Sequence, residues 1–213
     1  MKDSNCLILG CGPSLSTLTG SKLKELAETH TIFAIKQAYN LAPSLIDYHF
    51  INDNNYSKYD YTFSQAQVIA EFPVNHFVSS IAQTATRVFY VDNSSYEKSL
   101  SKLKNFDDWT IEKQPLYRPW GPGIMYELVL FYAHYLKFEN VYTVGWDLGP
   151  PNSRTRDHYY KHNVMNPAAP LNEDEAANEI ELTRAFYHWL KSRNINLTVM
   201  SESHAHKDIP RIC

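Results

Sequence analysis

The chain has 213 residues, enough for one sizeable domain with a core that needs no staples, and a net charge of -3 with Lys and Arg scattered along it. That balance offers no electrostatic footprint for duplex nucleic acid or an anionic membrane. Its three cysteines, Cys6, Cys11 and Cys213, form neither a disulfide framework nor a Cys-x-x-Cys pair, which fits a reducing cytoplasm. With neither a signal-peptide pattern nor a long apolar run, secretion and a membrane span are not expected.

Short apolar runs recur at Asn5–Gly10, Thr31–Lys36, Asp47–Asn52, Gln67–Glu71, Arg87–Val91, Asn140–Gly145 and Asn196–Met200, as in a buried parallel sheet. Between them, helical patterns cover Ser21–Thr29, Gly123–Lys137 and about Asp174–Ser192. The second places Ile124, Leu128, Phe131, Tyr132 and Tyr135 at helical spacing. The third is acidic at its start and basic at its end, with Leu182, Phe186, Trp189 and Leu190 along one face. The stretch from Asn93 to Trp120 shows no clear period and reads as irregular or partly helical. The alternation predicts a single α/β domain over residues 1–213, a Rossmann-like three-layer sandwich with a mostly parallel central sheet. Residues 148–175 read as a lid or active-site loop within it. The 15 tyrosines and 10 phenylalanines suit a stacking site and a dense aromatic core equally well.

Ligands of such sheets bind at the carboxyl ends of the strands, so the turns there carry the functional expectations. The first strand runs into Gly10-Cys11-Gly12-Pro13-Ser14, where glycines let a backbone approach a phosphate and Ser14 offers a hydroxyl. Leu15 stands where the dinucleotide fingerprint needs a third glycine, and no Gly-Lys-Ser/Thr follows, so neither a dinucleotide cofactor nor a P-loop is indicated. Asn52-Asp53-Asn54-Asn55-Tyr56 can read a base or ribose, or form an Asx-turn run capping a helix. Arg118-Pro119-Trp120-Gly121-Pro122-Gly123 opens the long helix with amides that favour an anion and an Arg suited to phosphate, or is a plain Pro/Gly helix start. Gly145-Trp146-Asp147 ends the sixth strand. His158-Tyr159-Tyr160-Lys161-His162 then supplies imidazoles that titrate near neutrality and phenols that can donate to a leaving phosphate. Prolines around this segment, and the absence of a Glu after His158, argue against a zinc helix, so no metal site is expected.

In order and spacing from Gly10 to His162, these motifs resemble the bacterial family 42 sialyltransferases and the wider group sharing their core, including archaeal-type 6-hydroxymethylpterin diphosphokinases and DUF115 proteins. The sialyltransferase resemblance implies a transferase that needs no metal cofactor and moves a sugar from a nucleotide-activated, CMP-linked acidic donor to an acceptor hydroxyl in surface-carbohydrate synthesis. By that resemblance Gly12 and Ser14 line the nucleotide phosphate, Asn52 contacts ribose or phosphate, and Gly121, Pro122 and Gly123 face the donor. It also makes His162 the general base and Tyr159 a phosphate ligand. From their positions at the strand ends and turns, Gly10, Pro13, Asp53 and Asp147 are expected to join the nucleotide site and Arg118 to stabilise the departing phosphate. Lys36 stands where the family carries Asn, Gly121-Pro122-Gly123 replaces a hydroxyl-bearing turn, and only ten residues separate Asp147 from His158. The diphosphokinase resemblance implies instead ATP with magnesium held by carboxylates such as Asp53 and Asp147. A non-catalytic nucleotide-binding module is a third reading. The partners expected are the nucleotide sugar and a carbohydrate acceptor, with room for a homo-oligomer.

Overall fold

A computed structural model describes residues 4–52, 59–73, 85–91, 106–108, 111, 123–147, 158–160, 173–201 and 208–212. Seven strands form one sheet: β1 Asn5–Leu9, β2 Thr31–Ile35, β3 Tyr48–Asn52, β4 Gln67–Pro73, β5 Arg87–Val91, β6 Asn140–Val144 and β7 Asn196–Val199. Their order is β5-β4-β3-β2-β1-β6-β7 and every pairing is parallel. The chain therefore builds outwards from β1 in one direction, then returns to place β6 on the other side of β1. The expected α/β architecture stands, with the sheet wholly rather than mostly parallel.

Side chains alternate along each strand, and both faces are covered. From β1, Cys6 and Ile8 enter one core cluster, with Phe33, Phe50, Ile69 and Phe89 from neighbouring strands; Leu7 and Leu9 enter the other, with Ile32 and Ala34. The second face is closed by helix α1, Gly20–Ala27, through Leu23, and by Leu15 and Leu18 of the turn preceding it. Thr19 caps α1 by accepting the Lys22 N–H.

The first face is closed by one π-helical turn, Met125–Val129, leading into helix α2, Leu130–Tyr135, and by helix α3, Glu173–Ser192. Every residue from Ile124 to Ala133 is buried, so this segment is enclosed on all sides rather than amphipathic. Tyr132 packs edge-on against Phe50 and Phe89, at 5.3 and 6.0 Å between ring centroids, while Phe131 meets Phe186 of α3 at 5.0 Å. Much of the aromatic surplus thus serves the core. The α2 segment and α3 both stop where a non-glycine residue turns left-handed, Lys137 (φ 62°) and Asn194 (φ 60°). The following N–H then returns to a carbonyl five residues back, Phe138 to Ala133 and Ile195 to Leu190.

Candidate functional site

The strand order reverses between β1 and β6, which is where an open α/β sheet forms its crevice. Three of the five described glycines, Gly10, Gly12 and Gly145, lie there. The Gly10 N–H donates to Val144 O at 2.8 Å and the Gly12 N–H to Gly145 O at 2.6 Å, so the turns leaving the two strands are bonded backbone to backbone. No side chain fits between them: a Cβ on Gly10 would stand 2.3 Å from Gly145 O, and one on Gly145 2.4 Å from Gly10 O. Gly145 is also left-handed, with φ 72°.

Asp147 and Ser14 complete this junction. The Ser14 N–H donates to Asp147 Oδ2 at 2.6 Å, the Ser201 hydroxyl donates to Asp147 Oδ1 at 2.7 Å, and Ser14 Oγ accepts the Gly145 N–H at 2.9 Å. A Cβ on Gly12 would approach Asp147 Oδ2 to 2.6 Å. The N–H groups of Gly10, Gly12 and Ser14, which the sequence offers to a phosphate, are therefore all engaged by the β6 side of the crevice, one of them by a carboxylate. The second helix start repeats the pattern. Gly123, at φ 102°, donates its N–H to Glu127 Oε1 at 3.4 Å, and Glu127 is 2% exposed within the π-helical turn. At both turns the chain's own carboxylate takes a place that suits an anion. The sequence reading missed Glu127 because a π-helical turn leaves no simple periodic signal.

Beside the junction, the carboxyl ends of β2 and β3 carry a second group. Lys36, the first residue after β2, is left-handed at φ 47°. Its carbonyl lies 2.9 Å from His49 Nε2, and His49 Nδ1 lies 2.7 Å from the Tyr61 hydroxyl. A carbonyl only accepts, so Nε2 bears the proton and Nδ1 accepts from Tyr61. His49 is fully buried, stacked on Tyr39 at 4.3 Å and met edge-on by Tyr59 at 4.6 Å. Burial pushes its pKa down to about 3, so the ring is neutral.

The segment 158–160 docks on this edge. The Tyr159 N–H donates to Cys11 O at 2.9 Å and its hydroxyl to Gln37 O at 2.6 Å. His158 stacks on Tyr160 at 4.9 Å. Burial raises the Tyr159 hydroxyl to about 12 and pushes Tyr59 and Tyr160 higher still. The Cys11 thiol, whose Sγ donates to Ile35 O at 3.2 Å, is raised to about 11 by burial, partly offset by backbone hydrogen bonds and by the Lys36 ammonium. It is not an activated nucleophile.

Gly10, Gly12, Pro13, Ser14, Asp147 and Tyr159 thus meet at one edge of the sheet. Asn52 ends β3 at the same edge, half-buried, in register with Glu71. Gly123 opens the π-helical turn. Asp53, Arg118, Gly121, Pro122 and His162 lie outside the described residues, as does most of the lid expected over 148–175. Among the described residues no group of three or more His, Cys, Asp or Glu is placed to hold a metal ion. A cavity of about 520 Å³ lies at the opposite, amino-terminal edge, lined by Thr31, Asp47, Tyr48 and Gln67 among others. No described helix is long and apolar enough to cross a membrane.

No family model and no curated protein matches the sequence. Among solved structures, the fold is similar to that of the MAf glycosyltransferase from Magnetospirillum magneticum AMB-1, with a TM-score of 0.61 at 14% identity, over 99% of this chain and 33% of that one. The chain spans about a third of that protein's length, and the likeness is one of fold.

Proposed function

We propose that the protein is a glycosyltransferase that moves a sugar from a nucleotide-activated donor to an acceptor hydroxyl at the carboxyl edge of β1, β2 and β6. The observation that carries this reading is the docking of Tyr159 on Cys11 O and Gln37 O. It brings an aromatic and imidazole-bearing segment from late in the chain to the strand ends where this kind of sheet binds nucleotides. The fold shared with a glycosyltransferase supports the same reaction class.

His162, two residues beyond Tyr160, is assigned as general base. It takes the acceptor proton as the new sugar–oxygen bond forms and the sugar–phosphate bond breaks, the electron pair leaving with the phosphate. Arg118 is assigned to the departing phosphate. Tyr159, whose hydroxyl proton is committed to Gln37, is a positioning residue. Asp147, which accepts from Ser14 through one oxygen and from Ser201 through the other, is assigned to hold the two turns together, and no metal is assigned a role.

A thermal-shift panel of CMP, UDP and ATP with magnesium tests the proposal. A nucleotide at about 100 times its dissociation constant adds about 2.7 kcal/mol, or roughly 5–10 °C for a chain of this size. Stabilisation by CMP or UDP without metal is expected. Stabilisation by ATP with magnesium alone, or by none, contradicts it. Turnover should fall by about two to four orders of magnitude in His162→Ala, and near-normal turnover would remove that residue from its role.

A further inference from the structure

We infer that Lys36 holds the phosphate of the bound nucleotide, on a backbone kink that His49 and Tyr61 fix from beneath. The inference rests on the proposed function and names the group that its phosphate meets. Four described turn donors are committed within the protein: Gly10 to Val144 O, Gly12 to Gly145 O, Ser14 to Asp147 and Gly123 to Glu127. These four leave charge complementarity for a phosphate to side chains.

Lys36 is the cation that the described edge supplies. β1 and β2 run in register with Leu9 opposite Ala34, so two residues further along Lys36 stands beside Cys11, at the mouth of the glycine turn. Its ammonium is near enough to act electrostatically on the Cys11 thiol. Lys36 is half-buried and, among the described residues, makes no ion pair.

The backbone supports the same assignment. A left-handed φ of 47° disfavours Lys and is met more easily by Gly or Asn. It is held by the 2.9 Å bond from His49 Nε2 to the Lys36 carbonyl, with His49 fixed in turn by Tyr61 and by the Tyr39 ring. The fully buried support thus fixes the backbone from which the Lys36 side chain leaves the strand end. An ammonium here can make a charge-assisted hydrogen bond to a phosphate oxygen.

The test is calorimetric titration of the full chain with CMP and cytidine, and with UDP and uridine. It compares wild type with Lys36→Asn, which suits the left-handed backbone, and Lys36→Arg, which keeps the charge. The expected result is that Lys36→Asn melts no lower than wild type, binds the nucleotides about ten- to a hundred-fold more weakly and leaves nucleoside affinity unchanged, while Lys36→Arg recovers most of the loss. Equal nucleotide affinity in wild type and Lys36→Asn overturns the Lys36 assignment and leaves the proposed function standing. A wild type that binds none of the nucleotides overturns both.

Discussion

Replacing Gly10 with Ala tests whether the β1 and β6 turns form one rigid junction. The added Cβ would stand 2.3 Å from Gly145 O, 2.7 Å from Gly145 C and 3.2 Å from Trp146 N. All three are backbone atoms, so no side chain can swing aside, and relief requires the two turns to part. Parting them stretches the bonds from Gly10 to Val144 and from Gly12 to Gly145. Overpacking of a tight site costs about 1–3 kcal/mol, and a contact made wholly with backbone belongs at the upper end. A loss of about 3 kcal/mol lowers the melting temperature by roughly 6–12 °C in a chain of this length. Gly20→Ala is the control, because a Cβ there meets nothing within 4 Å and lies in the first turn of α1. Urea and thermal unfolding of both variants decide the matter. A Gly10→Ala protein within about 0.5 kcal/mol of wild type would refute the close backbone approach.

Two further outcomes follow from the same region. Asp147→Ala removes the acceptor for the Ser14 N–H and the Ser201 hydroxyl, and should cost about 3 kcal/mol by urea unfolding, since each bond to a charged group contributes about 1.5–3 kcal/mol; a loss below about 1 kcal/mol would show that water replaces both. His49 stays neutral when folded, with its pKa at about 3 against an ordinary 6.5, because burial disfavours the imidazolium. Its contribution to stability is therefore complete above pH 6.5 and is lost as pH falls towards 3, at up to about 1.4 kcal/mol per pH unit. Wild type should show this extra acid sensitivity relative to His49→Gln. In wild type the His49 ring signals should stay flat from pH 8 to 5, and a midpoint near 6.5 would refute the burial argument.

The strands were legible in the sequence because each is a short apolar run closed by a polar or glycine residue. The expected strands end one residue too late at Gly10, Lys36 and Gly145, where the chain leaves the ladder to form the site. Asp47, expected to begin the third strand, instead accepts the Ile32 N–H through its carboxylate at 2.8 Å. The glycine turn was legible as a site of close approach. That what approaches is Gly145 and Asp147 was not, since those partners lie more than a hundred residues away. Glu127, His49 and the kink at Lys36 were hidden for a related reason: a π-helical turn, a buried imidazole and a left-handed lysine are products of packing, and no local propensity announces them.

The central claim, that nucleotide binds at the carboxyl edge of β1, β2 and β6, is tested most directly by backbone amide shifts of the labelled protein titrated with CMP and UDP. Perturbations are expected to cluster at Cys11, Lys36, Gln37, Tyr159 and Tyr160. Shifts confined to Thr31, Asp47 and Gln67, at the cavity on the amino-terminal edge, would contradict it.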